Sequence, residues 1–251
     1  MRELDSRQAV ADASGGQPMA VWAAGRLGHG GRAWAQGCAT LVAAPDLSLR
    51  DRAVVTGPAD DVVALVRHAW ERLGRSFRPY GAPPLIAELR RRIPGLRPIT
   101  PFGWMDTPAG APPTPPVGPP VGPANEVRWL ADDELSEAAD LVTRVYPSSY
   151  ARPGVPGVRR WAGIRDAHGR LVATGADAWS APAVGFVSGV VTHPDVRGTG
   201  LGARLCAFLV STLLAEHGTV ALMVDDWNTQ AIRLYGRLGL TYRPIAAAEP
   251  T

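Results

Sequence analysis

The stretch Val190-Val191-Thr192-His193-Pro194-Asp195-Val196-Arg197-Gly198-Thr199-Gly200-Leu201-Gly202 decides the reading of this chain. An apolar strand runs into a glycine-rich turn, and the turn becomes the start of an amphipathic helix. That helix, Gly200–His217, carries Leu205, Phe208, Leu209 and Leu213 on one face and stops at Gly218. Glycines admit backbone angles that other residues avoid, so consecutive N–H groups can turn toward one anion. The helix N-terminus adds partial positive charge and Arg197 adds a full one. The segment therefore reads as a cradle for a pyrophosphate.

Downstream, Val220–Val224 is a strand ending at Asp225 and Asp226. Asn228–Leu238 is a helix stopped by Gly239, and Leu240–Ile245 is a last strand. Upstream, Val127–Leu130 is a short strand, and Asp132 is placed to cap a helix bearing Leu135, Ala138, Leu141, Val142 and Val145. A loop with aromatics and prolines, Tyr146 to Gly157, follows. Trp161–Arg165 and Leu171–Trp179 then form a hairpin around Asp166-Ala167-His168-Gly169, and Val184–Thr192 is the strand that feeds the cradle.

At this point the sequence resembles the GNAT superfamily of acetyl-CoA-dependent N-acetyltransferases. Their signature, Arg/Gln-x-x-Gly-x-Gly/Ala after a strand, is matched by Arg197, Gly200 and Gly202. A second motif follows at the family's spacing: Asn228-x-x-Ala231-x-x-Leu234-Tyr235-x-Arg237-Leu238-Gly239-Leu240. The resemblance covers about residues 126–246. It implies an α/β (α+β) fold with a mixed, mostly antiparallel, splayed sheet flanked by helices, and CoA or acetyl-CoA as cosubstrate. The N–H groups of Arg197, Gly198, Thr199, Gly200, Leu201 and Gly202 would hold the CoA pyrophosphate, and Asn228 would contact CoA while capping its helix. Val190, Val191 and Thr192 would hydrogen-bond the pantetheine arm, and one of their N–H groups could polarise the thioester carbonyl.

Tyr235 matches the family's general acid, which protonates the departing thiolate. As plain sequence, Ala231, Leu234, Tyr235 and Leu238 also form a helical stripe of core residues. No general base is evident before the cradle. Asp225 and Asp226 are candidates for binding or deprotonating the amine through water, or they are a solvated strand end. Substrate contacts are expected from Tyr146, Tyr150, Trp161, Trp179 and Trp227, aromatic walls that would suit an apolar or cationic acceptor. The expected activity is transfer of an acetyl or short acyl group to a primary amine of a small molecule or peptide. The non-enzymatic alternative is an acyl-CoA-binding sensor or interaction module.

Other chemistries fit less well. Gly198-x-Gly200-x-x-Ala203 satisfies a dinucleotide fingerprint, but residues 193–197 intervene between strand and first glycine where that fingerprint wants a tight turn. Ser188 lies in Gly185-Phe-Val-Ser-Gly189, which is not a nucleophile elbow. His29, His68, His168, His193 and His217 form no i,i+4 pair, so no metal is expected.

The 251 residues carry 24 prolines, and eight of these fall between Pro108 and Pro123. Residues 107–125 are read as an extended proline-rich linker. It separates a smaller α/β domain at 1–106 from the GNAT-like domain at 126–251. In the first part, residues 33–44 and 52–56 are expected strands, and a helix opened by Pro58 carries Val62, Leu65, Val66, Ala69 and Leu73 before Gly74. A second helix runs from about Pro84 to Ile93. One reading makes this half a degenerate copy of the same fold, lacking the glycine loop. All 26 basic residues are arginine and the formal charge is +3. With acidic residues interspersed, neither a nucleic-acid nor a membrane partner is expected; a homodimer is an open arrangement. Cys38 and Cys206 make no disulfide framework, and the N-terminus has no apolar leader, so a cytoplasmic setting is expected.

Overall fold

Apolar alternation and two strong helical periods organise the first half as β1 (Arg2–Leu4), α1 (Arg7–Ala13), α2 (Pro18–Ala23), β2 (Arg32–Gln36), β3 (Ala39–Ala44), β4 (Arg52–Thr56), α3 (Ala59–Leu73), β5 (Arg78–Gly81), α4 (Pro83–Arg92), β6 (Leu96–Pro98) and β7 (Phe102–Asp106). The second half supplies β8 (Val127–Trp129), α5 (Leu135–Val145), β9 (Val158–Arg165), β10 (Leu171–Ala178), β11 (Gly185–Thr192), α6 (Leu201–His217), β12 (Val220–Asp225), α7 (Thr229–Arg237) and β13 (Thr241–Pro250). These come from a computed structural model that describes residues 1–108, 110, 111 and 126–251. The expected linker at 107–125 therefore lies almost wholly outside the described residues.

The strands join in one sheet of order β1-β2-β3-β4-β5-β13-β7-β12-β11-β10-β9-β8, with β6 beside β13. Neighbours run antiparallel except at β4/β5 and β11/β12, which are parallel and joined through α3 and α6. This is the mixed, mostly antiparallel sheet expected from the sequence. The two halves interlock at their last strands. β7, from the first half, pairs with β12 on one edge and β13 on the other. β13, from the second half, reaches back to pair with β5 and β6. Arg243 adds an ion pair to buried Asp106 across this junction.

Several local expectations are revised. Residues 33–44 are two strands rather than one, because Gly37 takes φ 53° and closes a hairpin at Gln36 and Ala39. Asp132 does not cap α5. A short 3-10 turn over Asp132–Glu134 precedes the helix, and the Glu134 carboxylate accepts the Ala131 N–H at 2.9 Å. Arg128 and Arg165 pair with the same carboxylate and hold it well below the usual range, the Arg128 hydrogen bonds contributing most. No helix among the described residues is long and apolar enough to cross a membrane.

A buried aromatic cluster ties α2 to the second half. Trp22 stacks on Phe186 of β11 at 4.6 Å and leans on Trp104 of β7 at 5.4 Å. Its indole N–H donates to the Trp179 carbonyl at 2.9 Å. Trp22→Phe keeps an aromatic side chain but shrinks the indole to one ring and strands that buried carbonyl, so it should cost at least about 1–3 kcal/mol of stability in equilibrium denaturant unfolding. No loss would mean that the carbonyl finds another donor.

Candidate active site

β11 and β12 are paired only at Gly185 with Val220 and at Phe186 with Ala221. Beyond those positions the two strands part, and a cleft of about 1130 Å³ opens between them. Side chains sort by face. Val187, Leu222, Val224 and Tyr235 pack with α6, whereas Phe186, Val191 and Met223 face the core shared with α2 and α5.

At the end of β11 the chain forms the glycine turn. Gly198 and Gly200 have φ of 80° and 85°, and no protein atom lies within 4 Å of where a Cβ would sit on either. Gly200 occupies the cap of α6. The N–H groups of Gly198 through Ala203 have no acceptor among the described residues. Helices leave their first N–H groups orphaned, and here the left-handed glycines extend the orphaned run backwards into the turn. Arg197, Gly198, Gly200, Leu201 and Gly202 line the cleft. Thr199 does not; its hydroxyl donates to the Val196 carbonyl at 2.6 Å and tightens the turn. Val190, Val191 and Thr192 line the cleft on the β11 side.

The opposite wall comes from the start of α7. Asn228 caps this helix, its Oδ1 accepting from the Ala231 N–H at 3.1 Å, and it also lines the cleft. Tyr235 lies two turns further along α7, 6% exposed, with the Cys206 thiol donating to its hydroxyl at 3.5 Å. Burial, with a smaller effect of Cys206, pushes the Tyr235 phenol well above its ordinary value. Burial likewise pushes the Cys206 thiol up to about 11. Both groups are therefore neutral acids at the cleft wall.

The two aspartates separate. Asp225 lines the cleft and faces Tyr146, whose phenol is raised by burial first and by the Asp225 carboxylate second. Asp226 is not among the lining residues; it accepts a hydrogen bond of 2.6 Å from Tyr242 and pushes that phenol up to about 12. The aromatic candidates divide the same way. Tyr146, Tyr150 and Trp227 line the cleft, Trp227 being 74% exposed. Trp161 and Trp179 do not. Trp161 packs under Gly189, where a Cβ would meet its ring at 2.7 Å. Trp179 donates its indole N–H to Pro156 and belongs to the core.

The sequence reading missed the first half's share of the cleft, which Arg50, Arg52, Arg78, Tyr80 and Phe102 line. No local pattern marks them, because they reach the cleft only through the interlocked strands. Away from the cleft, Asp177, Glu216 and His217 bring ligand-type atoms within 4.8 Å of one another. Arg160 already pairs with both carboxylates.

Residues 130–240 match the family model of the acetyltransferase (GNAT) family. The glycine turn at 197–202 and the α7 motif both lie inside the matched span. No curated protein matches the chain. Among solved structures, a GCN5-related N-acetyltransferase from Kribbella flavida is 22% identical, with a TM-score of 0.59, over 89% of this chain and 91% of that one. A GCN5-related N-acetyltransferase from Sphaerobacter thermophilus is 19% identical, with a TM-score of 0.54, over 84% and 79%. A tandem GNAT protein from the clavulanic acid biosynthesis pathway is 17% identical, with a TM-score of 0.54, over 91% and 86%. At these identities the likeness concerns the fold, and it extends over both halves of the chain.

Proposed function

We propose that this chain transfers an acetyl or short acyl group from acyl-CoA to a primary amine by direct attack of the amine nitrogen on the thioester carbon. The observation that carries this reading is the run of unpartnered N–H groups from Gly198 to Ala203, opening into the gap between β11 and β12. Gly198 and Gly200, free of neighbouring atoms, and the Arg197 guanidinium suit a pyrophosphate there. CoA supplies the activated acyl group as cosubstrate. Along β11, N–H groups of Val190 to Thr192 would orient the pantetheine arm and polarise the carbonyl oxygen.

As the C–S bond breaks, the Tyr235 hydroxyl gives its proton to the leaving thiolate. Asp225 accepts the amine's proton through water or holds the ammonium before it deprotonates. Cys206 is held as a thiol rather than a thiolate, which argues against a covalent acyl-cysteine route. We also read residues 1–106 as a GNAT-like unit without a cradle. β4, α3 and β5 repeat the strand-helix-strand order of β11, α6 and β12, but α3 opens with Asp60 and Asp61, carboxylates that would repel a phosphate. Gly81 also sits so close to β4 that a Cβ would lie 2.8 Å from the Val55 carbonyl oxygen.

Thiol release from acetyl-CoA, followed over a panel of primary amines, tests the activity. Amine-dependent release is expected for at least one class of acceptor. Tight CoA binding with no release on any amine would favour the sensor alternative.

A further inference from the structure

The end of the cleft built by the first half carries a charge that the acyl-transfer reading leaves without a role. Arg52, at the start of β4, is 5% exposed and lines the cleft. Its Nε donates to the Leu47 carbonyl at 2.7 Å and its Nη2 to the Ser48 carbonyl at 3.4 Å. Among the described residues no carboxylate pairs with it. A guanidinium withdrawn from water and met by neutral carbonyls and aromatic rings ordinarily meets an anion as well. Asp46, Ser48 and Leu49 hold φ of 50°, 55° and 59° in the loop that supplies those two carbonyls, a strained arrangement for non-glycine residues.

The surroundings connect Arg52 to the parting strands. Its guanidinium lies over the Tyr80 ring at 4.9 Å and against Trp22 at 5.9 Å. The Tyr80 hydroxyl donates to Met223 Sδ on β12 at 2.9 Å, and Trp22 stacks on Phe186 at the last paired position of β11. Arg52 is thus one ring away from both strands that bound the cleft, on the face opposite α6 and α7. Nearby, Arg78 is already paired with Glu249, while Arg50 lies over the Tyr150 ring at 5.2 Å. The same cleft holds one carboxylate suited to a cation, Asp225.

Resting on the acyl-transfer reading, we propose that the acceptor is a primary amine that also bears a carboxylate, and that Arg52 binds that carboxylate while the nitrogen faces Asp225. A planar guanidinium matches a carboxylate's two oxygens, and a buried site makes that pairing strong. This departs from the apolar or cationic acceptor that the aromatic residues alone suggested.

The experiment compares matched acceptors: free amino acids against their carboxamides, and phosphoethanolamine against ethanolamine. Acylation rates are read alongside calorimetric binding of each compound to the CoA-loaded protein. The carboxylate form is expected to have about 10- to 100-fold higher kcat/KM than its carboxamide, the range for a charge-assisted pair. Arg52→Met should erase that preference with CoA affinity unchanged. Arg52→Lys, which keeps the charge and is the milder change for folding, should reduce it several-fold. Equal rates for acid and amide, a preference undiminished in Arg52→Lys, or a preference for the phosphorylated amine would each overturn the proposal. If no amine is acylated but carboxylates bind through Arg52, the transfer reading fails and the anion site stands. If amines are acylated without regard to the carboxylate, the reverse holds.

Discussion

Gly200→Val should lower CoA affinity at least about 100-fold in calorimetric titration while the protein stays folded by circular dichroism. Two consequences of one backbone angle produce the loss. At φ 85° a β-branched residue is strained by about 1–3 kcal/mol, and the turn relieves this by rotating its peptide planes. Rotation disperses N–H groups that otherwise converge, and each charge-assisted hydrogen bond so lost is worth about 1.5–3 kcal/mol. Two such bonds account for the 100-fold, at about 1.4 kcal/mol per factor of ten. No protein atom lies within 4 Å of the new Cβ, so the fold has no steric reason to fail. The side chain instead enters the space a phosphate would take. Unchanged affinity would remove the cradle assignment.

What the sequence made legible follows the range of the signals. The glycine turn, α6 and α7 are written in consecutive residues: glycines where φ is positive, an asparagine where a cap is needed, an apolar stripe between. Strand pairing is not written locally. β7 is five residues long, and nothing in Phe102–Asp106 announces that it will lie between two strands of the other half. The last strand was expected to stop at Ile245, yet it runs to Pro250 because Ala246 to Pro250 find partners on β5 and β6. Arg52 could not be singled out among 26 arginines for the same reason. The aromatic candidates show a different limit. A tryptophan on a strand is equally consistent with core and cleft, and what buries Trp161 is the missing Cβ of Gly189. Asp225 ends β12 and lines the cleft, whereas Asp226 lies in the turn beyond the strand, where Tyr242 claims it.

Tyr235→Phe should lower kcat about 100- to 1,000-fold, within the range for loss of a general acid, and shift CoA affinity less than twofold. The ring stays in its place on α7, and among the described residues the partner deprived of a contact is the weak Cys206 thiol donor at 3.5 Å. The pH dependence separates an acid from a packing residue. An acid must carry its proton to act, and burial raises the Tyr235 phenol well above its ordinary value. The protonated, active form therefore persists into alkaline solution, and wild-type kcat should fall only above the usual phenol range. In the phenylalanine variant that alkaline limb should vanish, because no group remains to lose the proton. Thiolate expulsion without an acid would then limit the rate, so acyl donors with more acidic leaving thiols should restore much of the lost kcat. If kcat and its alkaline limb are both unchanged, Tyr235 is a member of the Ala231, Leu234 and Leu238 stripe with its hydroxyl at the cleft wall. The leaving thiolate would then take its proton from water.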